Sequence, residues 1–485
     1  MSTTSFGELR TESAIPVIQL NWVYGLDELV VDKTERSPAT ATASDSMLVL
    51  TSGTTIGALA RIETKTAVRY RPGEGILVRF TALWTGCSTN QESYIGYGDI
   101  ENGLFVACQN GNYGILHRSG GRREIYTVTI TGAATADGSY TIELDGTSVE
   151  VADISNGDSV EVIAAKIAAD TGFAAAGNGW EAHAVGAVVV LEYTDIGDLT
   201  GTFSVTDDMT GTSGAGVSTD GATYVTDDFV TAFNLDPLDG TGSSGTTIDW
   251  SKGNVFQIQV QWLGFGAITF SVETGSGYFT PVHRIHYANL NTAPSLKQPS
   301  NPVSASITNT GTATSYQLKA ACFSAFVEGS IQYLHPPFSA SSTLADPGSS
   351  VVHEVVALQA NRQFNGVHSH IKTHVMRVTM SYLGATSQEC TFTIVKNPTV
   401  DSYNYRFAAV TDSGISLSTS TAIATGTEVS GGTTLYAAVV GGQTSVTERF
   451  EYEDIVLNKG DIVVIGATCT AANSATATVL WKEDR

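Results

Sequence analysis

The chain has 485 residues, 49 glycines, only 15% charged residues and a formal net charge of -23, with a pI near 4.6. Such a charge repels nucleic acid and anionic membranes, so neither is an expected partner. This composition argues against a helix bundle and favours many short strands, and the length is enough for two to four domains.

The first part of the chain predicts strands joined by tight turns. Apolar stretches occur at 46–50, 67–70, 76–84, 94–99, 104–108 and 113–117. Asn102-Gly103 and Asn110-Gly111 separate the last three, and such pairs favour hairpin turns. The first residues lack the basic and apolar segments of a secretory signal, and no apolar run has transmembrane length, so we expect no membrane insertion.

The region 124–226 predicts a small α/β module inserted into a β domain. Strand patterns at 126–130 and 140–151 precede Asp158-Ser159-Val160-Glu161, which we interpret as a capping box with Glu at the third helical position. Apolar residues at helical spacing from Val160 to Ile167 then predict a helix that Gly172 ends. Two more strands are expected near 180–185 and 187–193.

The stretch 254–273 gives the most regular pattern in the sequence. Apolar and polar residues alternate through 255–262 and again through 268–273, with Gly264 and Gly266 in the connection. Alternation of period two places one face inward and one in solvent. We therefore predict an antiparallel hairpin with one wet face, belonging to a β-sandwich.

The last third predicts a second β domain. Residues 335–348 are rich in Pro and Ser and are interpreted as a linker. Eight short strand patterns between 351 and 481 then suit a jelly roll. The predicted fold class is mainly β, with two antiparallel β-sandwich or jelly-roll-like domains and a small α/β insertion. The predicted domains are 1–123 with 227–337, then 124–226, then 338–485.

The cysteines are scattered and odd in number, without a CxxC pair: Cys87, Cys108, Cys322, Cys390 and Cys469. We interpret them as buried free thiols of a chain folded in a reducing cytoplasm. A stray disulfide is the alternative.

Three stretches resemble structural proteins of tailed bacteriophages, many of them marine. They are the run GNVFQIQVQWLGFGAI at 253–268 with Tyr287-Ala288-Asn289, the insertion with its VTITG and IELDG motifs, and the C-terminal segments 429–433 and 457–461. The insertion is similar to modules embedded in phage tail and sheath proteins. The resemblance spans most of the chain and implies a virion component without catalytic residues. The first domain also resembles a concanavalin-type lectin sandwich, which implies no sugar site by itself.

The segment His368-Ser369-His370-Ile371-Lys372-Thr373-His374 is the sharpest candidate site. On one strand its histidines share a face, and imidazoles at i and i+2 can hold a transition metal. Some phage fibre tips that this pattern resembles bind iron on a threefold axis. We predict a transition-metal site at His368, His370 and His374, and no other cofactor. The alternative is a polar or interface strand face, which the like charge of Lys372 favours.

Other candidate sites are shorter patterns. His283-Arg284-Ile285-His286 either contacts an anionic ligand or forms a strand rim, and Asp207-Asp208, Asp227-Asp228 and 236–239 either hold calcium or lie in solvated loops. No G-x-S-x-G, HExxH or P-loop pattern occurs, so we expect no enzyme. Sequence alone leaves a carboxylate pair for glycoside cleavage open.

These observations predict a non-enzymatic virion structural protein assembled in the host cytoplasm. We expect a homotrimeric fibre, spike or head/tail decoration that contributes to particle assembly and host attachment. The expected partners are further copies of the chain, other virion proteins and host surface glycans, whose weak contacts add through avidity. The alternatives are a carbohydrate-binding or carbohydrate-cleaving receptor module and a capsid cement protein.

Overall fold

The computed structural model describes residues 14–173, 179–209, 213–275, 277–311, 314–329, 336–348, 350–365, 367–398, 407–419, 428–451 and 454–485. Within them, strands dominate, the strand pairings are antiparallel and one α-helix is present. The prediction of a mainly β fold with antiparallel sandwiches and a small α/β insertion is confirmed.

The elements fall into three parts of the chain. The first strands are β1 (Ala14–Asn21), β2 (Val31–Arg36), β3 (Thr40–Ser44), β4 (Met47–Thr51), β5 (Leu59–Thr64), β6 (Gly75–Trp84), β7 (Gln91–Gly98), β8 (Gly103–Gln109) and β9 (Asn112–Ser119). Next come β10 (Arg123–Ile130), β11 (Gly138–Leu144), β12 (Thr147–Ile154), α1 (Val160–Ala169), β13 (Trp180–Val185), β14 (Val188–Ile196), β15 (Phe203–Asp207) and β16 (Ser213–Thr219). We call this second group the helical module.

The chain then returns to the first part through β17 (Thr226–Val230), β18 (Asn254–Val260), β19 (Ile268–Glu273), β20 (Phe279–Ile285), β21 (Val303–Asn309), β22 (Gln317–Ala320) and β23 (Cys322–Glu328). With β1–β9 these strands form the first sandwich. The second sandwich contains β24 (Phe338–Leu344), β25 (His353–Ala360), β26 (Gln363–Phe364), β27 (Val367–His368), β28 (Lys372–Tyr382), β29 (Glu389–Lys396), β30 (Ala408–Ala409), β31 (Ile415–Thr419), β32 (Thr433–Gly441), β33 (Thr444–Arg449), β34 (Val456–Leu457), β35 (Ile462–Cys469) and β36 (Ala475–Asp484).

The first sandwich packs two sheets face to face. A nine-stranded sheet has the order β20-β19-β18-β6-β22-β4-β3, with β23 joining β6 to β1, and a seven-stranded sheet has the order β17-β9-β8-β7-β21-β5-β2. Val78 and Phe80 of one sheet share a buried cluster with Ile95 and Tyr97 of the other. Each such side chain contributes roughly 1.5–3 kcal/mol when buried, so this cluster stabilises the sandwich.

The predicted hairpin is present, but its polar face is not wet. β18 and β19 pair in the register Phe256↔Val272 to Val260↔Ile268. Gln259, Thr269 and Ser271 on the polar side are nevertheless buried. Long side chains from neighbouring strands cover them: Arg79 bonds to Gln257, Arg284 to Thr269 and Gln259 to Glu328. Such side chains shield a polar face through their apolar stems, so the expectation of a solvated face was wrong.

The helical module has a buried core of its own. Its sheets follow the orders β13-β14-β10-β16 and β12-β11-β15, and α1 packs Ile163 and Ile167 into their shared cluster. The helix begins at Val160 with Ser159 as N-cap, whose hydroxyl accepts a hydrogen bond from the Val162 amide at 3.4 Å. Glu161 therefore stands one position too early for the predicted capping box. The helix ends at Ala169, before Gly172.

The second sandwich also contains two sheets. One has the order β24-β36-β28-β33, with β34 paired to β28, and the other has the order β30-β31-β25-β35-β29-β32. The stretch 338–344 was predicted as linker, yet it forms β24, which pairs with β36 from Phe338↔Trp481 to Leu344↔Ala475. Ser342 and Leu344 on one face are buried. The serine-rich composition of this stretch did not suggest a strand, although its residues alternate in burial along the sheet edge.

The cysteine prediction was wrong for four residues. Cys87 pairs with Cys108, and Cys390 pairs with Cys469, which leaves Cys322 as the free thiol. Cys390 and Cys469 are direct neighbours across β29 and β35. The two cysteines are 79 residues apart, so no local sequence pattern indicates that they pair.

Each of the three parts contains its own large hydrophobic cluster. The predicted domain boundaries themselves stay predictions. In the described residues we find no helix with the length and apolar character needed to cross a membrane.

Candidate functional site

The three parts of the chain meet at a buried set of ionisable side chains, which we call the histidine junction. It comprises Glu63 and Asp99 from the first sandwich, Arg123 and Glu192 from the helical module, and His368, His370 and Lys459 from the second sandwich. None of these side chains is more than 7% exposed. Buried charges are costly unless paired, so their partners determine what the junction can do.

His368 is held neutral between a cation and an anion. Its Nε2 lies 2.9 Å from Lys459 Nζ, and its Nδ1 lies 3.2 Å from Glu192 Oε1. An ammonium group can only donate, so Nε2 accepts and the ring proton is on Nδ1, toward the carboxylate. Burial and the nearby Lys459 charge lower the pKa of His368 to about 4.

His370 has the opposite charge state. Its Nδ1 lies 2.6 Å from the Ser300 carbonyl oxygen and its Nε2 lies 3.1 Å from Asp99 Oδ2. A carbonyl oxygen can only accept, so Nδ1 carries a proton, and the Asp99 carboxylate beside Nε2 favours the protonated, charged form of the ring. Burial opposes this charge, but Asp99 raises the pKa of His370 above its ordinary value. The same contact outweighs burial at Asp99 and holds the pKa of that carboxyl well below its usual range.

Glu63, His368 and His370 bring potential metal ligands within 4.8 Å of one another. Lys459 Nζ, however, lies 2.6 Å from Glu63 and contacts the free lone pair of His368. Nδ1 of His370 donates to the Ser300 carbonyl, and its Nε2 faces Asp99. The ammonium thus supplies the positive charge that a metal would bring. Metal binding here stays a prediction, and it requires Lys459 to move.

The structure does not bring His374 to this group. The predicted single strand is divided: His368 is in β27, His370 is in the connection and His374 is in β28, where it lies opposite Lys482. His374 is fully buried. The expectation that the three rings share one strand face was therefore wrong, because the chain bends between β27 and β28.

The junction continues through a second group, Glu181, His183 and Glu192, whose ligand atoms also lie within 4.8 Å. Glu181 lies 3.7 Å from His183 and 3.9 Å from Arg362. Burial raises the pKa of Glu181, but these neighbours outweigh it and bring that pKa to about 2. Sequence reasoning missed the acidic members of the junction. The sequence did contain one sign of them, because Glu192 is a charged residue within the otherwise apolar run 188–193.

A second candidate site is open to solvent. A cavity of 590 Å³, which we call the polar cavity, lies where the edge strand β17 approaches the end of the edge strand β20. Its polar lining consists of His117, Thr226, Asp227, Asp228, His283, His286, Tyr287 and Asn291. The structure thus joins two patterns that the sequence offered separately, the histidines at 283–286 and the acidic pair at 227–228.

Several groups of the polar cavity are already engaged. Nε2 of buried His117 donates to the Ser295 carbonyl at 2.6 Å, and burial lowers the pKa of His117. Nδ1 of His283 accepts a hydrogen bond from the backbone N–H of Asn234. Asp227 accepts a hydrogen bond from the Arg118 side chain at 2.8 Å.

The remaining groups face solvent and are free to meet a ligand. Asp228, His286 and Asn291 are exposed, and Tyr287 is half-buried beside them. Asp228 lies opposite His117 in the β17–β9 ladder, which fixes its position. The wall is therefore rigid, while its exposed edge carries uncommitted donors and acceptors.

The other acidic candidates organise their own loops. Asp236 accepts hydrogen bonds from the Leu238 and Ser244 amides, and Asp207 accepts one from the Met209 amide. Among the described residues, the aspartates at 207–208, 227–228 and 236–239 belong to no group of three metal-binding side chains. Asp207, Asp236 and Asp239 have the geometry of turns stabilised by side chains, whereas Asp227 and Asp228 lie in β17.

The helical module and its return strand cover part of the outer face of the seven-stranded sheet. The Arg61 guanidinium lies 3.4 Å from the Thr194 carbonyl, and Tyr224 donates to the Ile100 carbonyl at 2.6 Å. Arg118 lies 4.8 Å above the ring of Tyr224. The pocket that remains between them, at 190 Å³, is smaller than the polar cavity at the sandwich edge.

No protein-family model and no curated protein matches this sequence. Solved structures with a similar arrangement include lectin I-B4 from Griffonia simplicifolia, at 9% identity and TM-score 0.25, covering 64% of this chain and 99% of the lectin. A legume lectin-like domain from Entamoeba histolytica has 9% identity and TM-score 0.25, covering 64% of this chain and 97% of that domain. The alginate lyase AlyC3 has 8% identity and TM-score 0.23, covering 59% of this chain and 76% of the lyase. At these scores the similarities carry no argument about ligand or activity.

Proposed function

We propose that the chain is a carbohydrate-binding protein that holds glycans in the polar cavity. The observation that carries this proposal is the exposed set of Asp228, His286 and Asn291 beside half-buried Tyr287. A carboxylate and an amide match neighbouring sugar hydroxyls, and an aromatic side chain offers apolar surface with a polar tip. The cavity volume lies within the range of small-ligand sites.

The cavity suits binding rather than bond cleavage. Glycoside hydrolysis requires two carboxyl groups with different roles across the scissile bond. Of the carboxylates in the lining, Asp227 is committed to Arg118, which leaves Asp228 alone. The buried histidines His117 and His283 each use one ring nitrogen in a bond to the backbone. This supports a non-enzymatic role.

A glycan array followed by calorimetry on the full chain tests the proposal. We expect Asp228→Asn and Tyr287→Ala each to weaken binding by about tenfold, because each removes one contact group from a small site. Asp153→Asn, an exposed acidic position in the helical module, is the matched control and should bind as wild type does. Silence across bacterial surface polysaccharides, or equal affinity in all variants, would refute the proposal.

We propose in addition that the protein is a virion structural component, a homotrimer that presents this cavity to the host surface. The structural role is supported by the histidine junction and by Asp484, which pairs with both Arg69 and Arg71 of the first sandwich. Together with the two disulfides, such contacts suit a stiff building block outside the cell. Immunogold labelling of purified particles and a mass measurement test this. Absence from particles, or a stable monomer at micromolar concentration, would count against it.

A further inference from the structure

We propose that a cleft between the helical module and the second sandwich binds an extended peptide segment of a partner protein, rich in small uncharged side chains, as an added strand. We call it the alanine cleft. Its volume is 660 Å³, and its walls come from α1, β13 and β14 on one side and from β25, β30 and β35 on the other. This size suits several residues of extended chain.

Small residues form the part of the wall contributed by the second half of α1. Ala165, Ala168 and Ala169 lie on one side of α1, at the spacing that places residues on the same helix face, and Glu161 lines the cleft one turn earlier. Phe407 and Ile462 stand on the opposite wall. Beside the three alanines a peptide backbone can approach closely, which selects small side chains on that part of the occupant.

The cleft borders the edge of β13 as well as one face of the β13–β14 pair. Residues 182–186 line it without interruption, and Val188 and Val190 of β14 line it from that face. Side chains of a strand alternate between faces, so the unbroken run at 182–186 indicates that the cleft reaches the backbone at the edge of β13. In the described part of the chain β13 pairs with β14 alone and forms the sheet edge. An edge strand has backbone donors and acceptors that an added strand can satisfy.

Two partly buried amide side chains in the cleft point to the same kind of ligand. Gln359 Oε1 and Gln363 Nε2 are buried and have no hydrogen-bond partner among the described residues. One is an acceptor and the other a donor, which is what a peptide group requires. A purely apolar molecule would leave both unsatisfied, at a cost of about 1–3 kcal/mol each.

The charges at the cleft balance each other. The charged side chains of the lining include Glu161 and Arg362, which have opposite signs. An uncharged strand from another polypeptide therefore meets neither net repulsion nor a strong electrostatic requirement.

Fluorescence anisotropy with the full chain tests this inference. The probe is a fluorescein-labelled, capped heptapeptide of alternating alanine and threonine, for which we expect a Kd of roughly 10–100 µM. Ala409→Arg fills the cleft and should weaken binding by about tenfold or more. Ala408→Arg is the matched control, because Ala408 is the neighbouring exposed residue of β30 and lies outside the lining.

Ala169→Arg, an exposed position on the opposite wall, gives an independent block. Circular dichroism and thermal unfolding confirm that each variant is folded. Lack of binding by the wild type at about 1 mM peptide, or equal loss in Ala408→Arg and Ala409→Arg, would overturn the inference. So would anilinonaphthalene sulfonate binding in the cleft that the peptide cannot displace, or self-association that Ala409→Arg abolishes. Glycan binding by the same samples reports on the polar cavity separately.

Discussion

The histidine junction and the polar cavity contain the same residue types in opposite environments. In the junction, His368 and His370 lie against Glu192 and Asp99 with almost no exposure. In the polar cavity, His286 and Asp228 are exposed to solvent. Imidazoles and carboxylates therefore do not identify a binding site by themselves.

The two sites differ in whether each ionisable side chain already has a partner within the protein. A buried charge requires one, so the junction uses His370 with Asp99, and His368 with Lys459 and Glu192. An exposed group keeps water as its partner and can exchange it for a ligand at small cost. The junction therefore holds three parts of the chain in place, and the cavity keeps the exchangeable groups that the proposed glycan binding requires.

The largest expected effect comes from breaking the junction. His370→Ala leaves the buried Asp99 carboxylate without its imidazolium, and removal of one partner of such a pair costs about 3–5 kcal/mol. We expect a marked fall in the thermal unfolding midpoint. Asp99→Asn with His370→Gln, which removes both charges, should recover part of the loss. An unchanged midpoint in His370→Ala would show that the pair contributes little.

Acidification should weaken the junction through His368. Its pKa is about 4 in the folded chain, against an ordinary value of 6.5. Between these values the unfolded chain takes up a proton that the folded chain does not, so stability falls as the pH falls from 6.5 to 4, by up to about 3 kcal/mol. Denaturant unfolding across this range measures the slope. His368→Gln, which does not titrate, should flatten it, and an equal slope in that variant would contradict the assignment.

Removal of Lys459 should reveal the metal-binding capacity predicted from the histidines. Lys459→Ala frees the lone pair of His368 and the oxygen of Glu63 that the ammonium now contacts. A divalent cation can replace that charge, so we expect zinc to bind this variant at least about tenfold more tightly than the wild type. Metal analysis after dialysis gives the stoichiometry. No zinc in Lys459→Ala would remove the metal prediction, and Lys459→Arg is the control that keeps the charge.

Much of the fold could be predicted because strand patterns are local. The alternation through 255–273 predicts β18, β19 and their pairing, and the spacing from Val160 to Ile167 predicts α1. The same local reasoning failed at β24, where small polar side chains occupy a partly buried edge. It also failed at Cys390 and Cys469, which are adjacent only across two strands.

The candidate site was less predictable, because its members come from distant parts of the chain. The sequence pointed to His368 and His370, but their partners Glu192 and Asp99 are contributed by other parts of the chain. Nothing local indicates that Lys459 reaches the same point. The polar cavity depends likewise on the approach of β17 to β20, which no sequence pattern specifies.

The smallest expected effect on stability is at the polar cavity. His286→Ala removes an exposed ring, and surface substitutions of this kind change the free energy of unfolding by less than about 0.5 kcal/mol. His286 gives up no buried partner, so the loss should be several times smaller than in His370→Ala. Denaturant unfolding of both variants at one pH makes the comparison. A loss in His286→Ala as large as that in His370→Ala would mean that the cavity wall is held together as the junction is, and its free groups would then no longer be available to a glycan.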